Sequence, residues 1–155
     1  MRGMIGLVVG AGLLAAPLAA QGRPLTISGV RGLTFGAVLP GVPVVVTRTD
    51  PALSGQLDIR GPNRQQILLS FTLPLVMAGP AGAQLPLVFG SSDAGYSESQ
   101  AIGSQIGFDP KQSFTATLAN NGRGSVFIGG TANAAANQRA GAYTATLTLT
   151  LTVLP

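Results

Sequence analysis

The sequence predicts an all-β fold, an antiparallel sandwich of about eight or nine strands formed by a single domain. Near the end of the chain, residues 143–153 place apolar or small side chains at every odd position and Thr at every even position between them. Shorter segments with the same two-residue period recur between turn signals, roughly every 8–12 residues. No stretch after residue 20 has the period of an amphipathic helix. Together these observations favour an all-β domain.

The alternating run at residues 143–153 predicts a principal strand of the sheet. At about 3.4 Å per residue it would span roughly 37 Å, which is longer than an ordinary strand. Burial of its Leu and Val side chains would stabilise the sheet by roughly 1.5–3 kcal/mol each. Tyr143 is expected in the core or at a corner, with its hydroxyl bound to a nearby loop backbone. The Thr side chains are expected to face solvent; the alternative is a surface that orders water or stacks on another sheet.

The N-terminus has the features of a secretory signal peptide. A positively charged start is followed by the apolar residues 4–16 and then by Pro17 and small residues. A membrane anchor, which is the alternative, would need about 18 or more apolar residues. We therefore expect a leader helix at residues 1–20 with cleavage after Ala20. The mature protein would be a secreted single domain, residues 21–155, with no membrane span.

Charge and cysteine content narrow the choice of function. Without Arg2, eight basic residues face five acidic ones, so the mature net charge is +3. The basic residues are dispersed singly without interleaved aromatic residues, which argues against a nucleic-acid-binding surface. The chain has no Cys, so an exported domain must be stabilised by its core and its sheet pairing. With 9% charged and 46% hydrophobic residues, we expect an apolar surface that binds a partner.

The predicted strands share period-two alternation or β-branched runs. They are residues 25–28 and, beyond a bulge at Gly29, 33–39, then 44–49, 56–59, 66–73, 85–89, 106–108, 114–118, 125–128 and 143–153. The Asn-Asn-Gly sequence at 120–122 is a strong hairpin-turn signal. Residues 74–83 and 90–104 lack a period and are predicted as loops, the second of them mobile. Residues 132–136 are predicted as an irregular or weakly helical link.

Three segments resemble a known family. They are residues 24–38, where Pro-Leu-Thr-Ile leads to Leu-Thr-Phe-Gly-Ala-Val; residues 126–131, Val-Phe-Ile-Gly-Gly-Thr; and residues 137–144, Asn-Gln-Arg-Ala-Gly-Ala-Tyr-Thr. In this order and spacing they resemble the bacterial secreted β-domains called domain of unknown function 4402, which are similar to spore-coat-U-like and pilin-like domains. The resemblance implies an immunoglobulin-like sandwich and export to the periplasm or cell surface of a Gram-negative bacterium, in a family with no assigned enzymatic activity. Pilin-like domains commonly accept a strand from a neighbour, and here the donor would be residues 25–30.

Two sets of residues are candidates for binding. Six apolar residues near the two ends of the mature chain would form an assembly strand that pairs with another copy or with an envelope protein: Leu25, Ile27, Leu147, Leu149, Leu151 and Val153. The polar loop 90–104 is the second candidate, where Asp93, Tyr96 and Glu98 would contact a ligand. The two carboxylates lack the spacing of a calcium loop, so we expect no metal site there.

Residues suited to catalysis are scarce. The chain has no His and no Cys, which excludes a conventional triad, a cysteine nucleophile and the common zinc sites. Lys111 is the only lysine, and a glycosidase-like pair would require two of five carboxylates to converge: Asp50, Asp58, Asp93, Glu98 and Asp109. We therefore expect no enzymatic activity and no cofactor. The sequence favours a secreted, pilin-like structural module of the cell envelope; the alternative is a monomeric domain that binds a glycan or other surface ligand through residues 90–104.

Overall fold

The computed structural model describes residues 22–155, so the signal peptide predicted at residues 1–20 lies outside the described part. The described residues form twelve strands and one short 3-10 turn, Pro80–Gly82. The strands are β1 (Thr26–Arg31), β2 (Pro43–Val46), β3 (Gly55–Arg60), β4 (Gln66–Thr72), β5 (Val76–Ala78), β6 (Gln84–Val88), β7 (Ala94–Ser97), β8 (Ile106–Phe108), β9 (Phe114–Thr117), β10 (Arg123–Ile128), β11 (Gly130–Asn133) and β12 (Thr148–Val153). The predicted all-β antiparallel sandwich is confirmed, with twelve strands where the sequence predicts about eight or nine, because several short strands lie in segments predicted as loops.

Three antiparallel sheets build the two layers of the sandwich. A five-stranded sheet has the order β1-β3-β10-β7-β8, and a four-stranded sheet has the order β2-β11-β6-β5. These two sheets are continuous at two places. β10 leads directly into β11, and β6, which pairs with β11, leads into β7, which pairs with β10. The three-stranded sheet β12-β4-β9 forms the facing layer.

The corner between β10 and β11 is made by Gly129. A Cβ atom at this position would collide with the carbonyl oxygen of Val46 and would lie 2.7 Å from the backbone nitrogen of Arg48. The N–H of Gly129 donates to the carbonyl oxygen of Asp93 at 2.8 Å. A residue without a side chain is therefore required where the strand leaves one sheet and enters the next.

The core lies between the two layers and is filled by the inward-facing residues of the strands. Its largest fully buried apolar side chains include Ile59, Ile67, Leu69, Leu118, Val126 and Ile128. Full burial of such a side chain contributes roughly 1.5–3 kcal/mol, so these residues account for much of the stability of the fold. Partly buried Leu25, Leu33, Leu147 and Leu151 pack at the margin of this cluster.

One side of the sandwich is closed by aromatic side chains. The ring of Phe108 on β8 stacks on that of Phe114 on β9, with centroids 4.3 Å apart. Tyr96 on β7 donates its hydroxyl hydrogen to the carbonyl oxygen of Thr117 on β9 at 2.7 Å. The stack of Phe108 on Phe114 brings β8 beside β9 at this side, and β1 and β12 are the edge strands at the other ends of the two sheets.

The strand predicted at residues 33–39 is wrong. Residues 32–42 contain no strand, and Gly36 has a φ of 64°, which interrupts an extended conformation. The alternating apolar side chains pack into the core without forming a strand: Phe35 is buried there, and Leu33 packs against the core. The N–H of Thr34 donates to the carbonyl oxygen of Leu53 at 2.9 Å, which fixes this segment beside the sheet rather than within it.

The predicted strand 143–153 is correct only in its second half. β12 begins at Thr148, and before it only Thr144 forms a bridge, to Ala78. Tyr143 explains the break: its ring packs directly on Gly79, and its hydroxyl donates to the carbonyl oxygen of Arg139 at 2.6 Å. The tyrosine thus holds the chain at the four-stranded sheet, and the chain then crosses to the three-stranded sheet. The prediction of a corner tyrosine bound to loop backbone is confirmed.

Several shorter predictions can be compared directly. The bulge near Gly29 is confirmed, because the register of β1 shifts between Gly29 and Arg31. The turn at 120–122 is confirmed by the hydrogen bond from the N–H of Ala119 to the carbonyl oxygen of Arg123, at 2.9 Å. The predicted loops and link contain strands: β5 lies in 74–83, β7 in 90–104, and β11 overlaps 132–136. No helix among residues 22–155 has the length and apolar character needed to cross a membrane.

Candidate functional site

Among residues 22–155, six strands lie at the edges of the three sheets: β1, β8, β2, β5, β12 and β9. An edge strand offers unpaired N–H and C=O groups to other chains, and natural proteins limit this with short strands, Pro, charges or bulges. β5 and β8 have three residues each, β9 has four, and β2 has four and begins with Pro43. β1 has six residues but carries the bulge at Val30 and ends in Arg31.

Among the edge strands of the described part of the chain, β12 is the one that lacks these protections. Its six residues, Thr-Leu-Thr-Leu-Thr-Val, contain no charge and no Pro. They pair with β4 in an unbroken register from Thr148 opposite Thr72 to Val153 opposite Ile67. β12 is therefore a long, regular and uncharged edge, which is the kind of edge that accepts another strand.

The register shows which main-chain groups of β12 are free. The N–H of Leu154 donates to the carbonyl oxygen of Gln66 at 3.0 Å, so the even-numbered residues of β12 exchange hydrogen bonds with β4. In an antiparallel pair the intervening residues point their N–H and C=O groups the opposite way. Leu149, Leu151 and Val153 consequently present three N–H and three C=O groups along an edge that pairs with no other strand of residues 22–155, and we call it the free edge.

The side chains of β12 separate into an apolar face and a hydroxyl face. Leu149 is buried, Leu151 is half-buried, and Val153 is 53% exposed at the end of the strand. Thr148, Thr150 and Thr152 are all exposed on the other face. The apolar face thus becomes progressively less covered toward Val153, where a neighbouring strand would add contacts.

A cavity opens on the same side of the sandwich as β12. It has a volume of about 490 Å³, and its wall includes Val30 at the bulge of β1, Leu33 after β1, Leu57 on β3, and Leu147 before β12. A second cavity of about 670 Å³ shares Leu33 with it and follows the crossing segment 138–145. We call these two cavities together the edge cleft.

The edge cleft is mainly apolar. Two arginines line it, Arg31 in the first cavity and Arg139 in the second. Nε of Arg31 donates to the carbonyl oxygen of Ser54 at 2.6 Å, and its Nη2 donates to the Ser54 hydroxyl at 3.0 Å. Val30 is 54% exposed at the mouth of the cleft. Because the guanidinium of Arg31 already has hydrogen-bond acceptors, this part of the cleft offers contact surface chiefly to apolar side chains.

The six residues predicted for assembly lie on this side of the sandwich, on β1 and β12 or next to them. Ile27 pairs with Ile59 of β3, so the predicted donor segment 25–30 is largely occupied as an edge strand of its own domain. The residues at the other end, Leu149, Leu151 and Val153, line a free edge. The structure therefore distinguishes the two segments: the first is paired and bulged, and the second is open.

The predicted ligand residues do not share a surface. Tyr96 is 2% exposed within β7. Burial raises the pKa of its hydroxyl, and the negative charge of Glu98 raises it further by a smaller amount. Oδ2 of Asp93 accepts the N–H of Gly90 at 2.7 Å, which closes a local turn. Of the three, Glu98 alone is exposed. The strand was missed in the sequence because Ala94-Gly95-Tyr96-Ser97 is short and lacks clear alternation.

The other carboxylates have local structural roles. Oδ1 of Asp58 accepts hydrogen bonds from the Ser125 hydroxyl at 2.6 Å and from Nε2 of Gln56 at 3.2 Å. Oδ1 of Asp109 accepts the N–H of Lys111 at 2.9 Å, which caps that turn. Within the part of the chain that the structure describes, no three His, Cys, Asp or Glu residues lie together as a metal site would require.

Sequence reasoning missed that the hydroxyl face extends beyond β12. The pairing of β12 with β4 and of β4 with β9 places Thr150 opposite Ser70 and Leu68 opposite Thr115 on the outer surface of the three-stranded sheet. The hydroxyl oxygens of Ser70 and Ser113 lie 3.0 Å apart on this surface. Only the register between distant segments reveals such a surface, because in the sequence β4 reads as a mixed strand.

Comparison with protein-family models finds no match to this chain, and comparison with curated proteins finds none either. The resemblance to domain of unknown function 4402 stays a prediction. The β12 edge and the edge cleft are the features of the structure that bear on function.

Proposed function

We propose that this protein is a secreted structural or interaction module of the cell envelope that assembles by β-strand pairing along β12. The observation that carries the proposal is the contrast among the edge strands of the described residues: five are short, bulged or begin with Pro, whereas β12 is long, regular and uncharged. Edges of that kind are rarely left uncovered in natural sandwiches, because they promote pairing with other chains.

Strand addition at β12 would use two kinds of contact. The incoming strand would pair its main chain with the free groups of Leu149, Leu151 and Val153, and each net hydrogen bond contributes about 0.5–1.5 kcal/mol. Its inward side chains would cover Val153 and the mouth of the edge cleft beside Leu147. Backbone pairing supplies affinity, and alternate side chains supply specificity.

Two features of the sequence support a place in the cell envelope. The leader-like residues 1–20 favour export, and the low content of charged residues, 9%, favours a protein whose surface is covered in an assembly. The resemblance to pilin-like secreted domains agrees with both. Together they favour a pilin-like module over a freely diffusing enzyme.

The test is the native mass of the protein, measured by light scattering on a sizing column. Wild type is compared with a variant that carries proline at a position facing the free edge and with one that carries proline at a position facing β4. Val153→Pro removes an N–H that faces the free edge and leaves the hydrogen bonds to β4 intact. We expect the wild type to assemble and Val153→Pro to remain folded but elute as a monomer. Val153→Ala, which keeps the N–H, is the control for loss of the side chain.

Thr152→Pro is the matched control for the main chain, because its N–H belongs to the ladder with β4. This variant should unfold at a lower denaturant concentration than Val153→Pro. Its free energy of unfolding should be lower by about 1–3 kcal/mol, because a carbonyl oxygen of β4 loses its donor. A wild-type protein that is monomeric at all concentrations contradicts the proposal. Assembly of Val153→Pro at the wild-type level contradicts the assignment to β12.

A further inference from the structure

The partner of β12 can be inferred from the symmetry of its own pattern. The free main-chain groups belong to the odd-numbered residues, and the same residues carry the inward apolar side chains. We propose that β12 pairs with the β12 of a second copy of this chain, antiparallel and about a two-fold axis at Leu151, an inference that rests on the proposed function. The product is a closed dimer with a continuous six-stranded sheet, β9-β4-β12 joined to its symmetry mate.

The register follows from which groups are free. Only odd residues can exchange hydrogen bonds across the new edge, so an odd residue must face an odd residue. With Leu151 facing Leu151 of the second copy, Leu149 faces Val153 and Val153 faces Leu149, all within the limits of β12. Each of the three pairs exchanges two hydrogen bonds, and no residue outside the strand is required.

The antiparallel direction follows from the two faces of β12. A two-fold axis perpendicular to the sheet keeps the apolar faces of both copies on the same side, whereas an axis along the strand places the apolar face of one copy beside the Thr face of the other. Since Leu149 and Leu151 pack toward the core and Thr150 faces solvent, only the antiparallel pair continues both layers.

The surroundings of β12 fit a second copy. The strand carries no charge, so two copies bring no like charges together although the chain as a whole is positively charged, +4. Val153, 53% exposed, meets Leu149 of the partner copy and extends the apolar layer beside the edge cleft. An isologous contact of this kind closes after two subunits and leaves no further β12 edge free.

Disulfide cross-linking tests this register, because the chain has no Cys and each introduced thiol reports a single contact. In the proposed pair Thr150 faces Thr152 of the second copy at a non-hydrogen-bonded position, where Cα atoms lie about 4.5 Å apart, a distance that permits a disulfide. Differently tagged Thr150→Cys and Thr152→Cys copies are mixed and oxidised. Both side chains are exposed, so the substitutions do not disturb the core.

We expect at least about tenfold more mixed disulfide dimer from this pair than from Thr150→Cys mixed with Thr115→Cys, which places the second thiol on β9. Wild-type protein should show twice the subunit mass and nothing larger. Preferential cross-linking of Thr150→Cys with itself, or no cross-link above the β9 control, overturns the inference. If Val153→Pro abolishes assembly in that case, the proposed function stands; a monomeric wild type overturns both.

Discussion

The ring of Phe108 lies on the ring of Phe114 with centroids 4.3 Å apart and an angle of 9° between their planes. This stack joins the edge strands β8 and β9, and Phe71 extends it with a centroid 6.3 Å from that of Phe108. One side of the sandwich is thus closed by side chains, while the side formed by β1 and β12 contains the edge cleft. The asymmetry explains why assembly is expected at only one side.

Phe108→Ala should destabilise the domain by about 3–5 kcal/mol, because it leaves a cavity between the layers and removes the stacking contacts. Urea unfolding followed by tyrosine fluorescence measures the change. Leu39→Ala is the control, since Leu39 is 65% exposed and its loss should cost less than about 0.5 kcal/mol. Equal effects of the two substitutions would show that the aromatic stack does not close the sandwich.

Gly129→Ala should destabilise the fold by about 1–3 kcal/mol or more, because the new methyl group collides with backbone atoms that cannot move aside. The contacts are the carbonyl oxygen of Val46 and the nitrogen of Arg48, both on the neighbouring chain segment. Gly103→Ala is the matched control, as a Cβ there meets no atom within 4 Å. If thermal unfolding midpoints of the two variants coincide, the corner does not require Gly129.

The fold class could be predicted from the sequence because period-two alternation depends only on which face of a strand is buried. The same pattern failed at residues 33–39, where Leu33 and Phe35 alternate but insert beside the sheet after a bulge. It failed again before Thr148, where the ring of Tyr143 on Gly79 fixes the path of the chain. Alternation shows that apolar side chains share a face; it does not show whether a partner strand is available.

The candidate site was predictable only in part. Leu149, Leu151 and Val153 were identified from alternation alone, but their free N–H and C=O groups follow from the pairing of β12 with β4. The edge cleft has no sequence signal, because Val30 and Leu147 come from opposite ends of the described chain. The sequence predicts Tyr96 in a loop because the small residues beside it resemble one, whereas these residues form β7 and pair with β10.

Tyr96→Phe should lower the stability of the fold at neutral pH. It should also remove part of the loss of stability that occurs at alkaline pH. The variant leaves the carbonyl oxygen of Thr117 without its donor, at a cost of about 1–3 kcal/mol. Burial raises the pKa of Tyr96 in the folded protein, so the folded state holds this proton more tightly than the unfolded state. The stability that depends on the proton is complete below the ordinary pKa of about 10 and is lost as pH rises above it.

Urea unfolding of wild type and Tyr96→Phe between pH 8 and pH 11, bracketing the ordinary tyrosine pKa of about 10, measures this effect. We expect the wild-type free energy of unfolding to fall above pH 10 more steeply than that of the variant. Parallel curves would show that Tyr96 is not protected from ionisation by its burial against β9.

Asp50 should make the fold sensitive to acid. Its Oδ1 accepts the N–H groups of Leu53 and Ala52, both at 2.8 Å, and these hydrogen bonds, with a smaller contribution from Arg31, lower the pKa of the carboxyl group. The folded state therefore binds this proton less readily than the unfolded state does. The stabilisation is complete above the unfolded pKa of about 3.9 and is lost as pH falls through the lower folded value.

Asp50→Asn keeps an oxygen acceptor for the two N–H groups but removes the titration, so its unfolding midpoint should fall less steeply than that of wild type below about pH 4. Asp50→Ala removes the acceptor as well and should be less stable than Asp50→Asn at neutral pH. Thermal unfolding from about pH 2 to pH 6 separates these effects, since the range spans the ordinary Asp pKa. The turn after β2 contributes no acid sensitivity if the wild-type and Asp50→Asn profiles run parallel, because the charge of Asp50 would then be equally stable in the folded and unfolded chains.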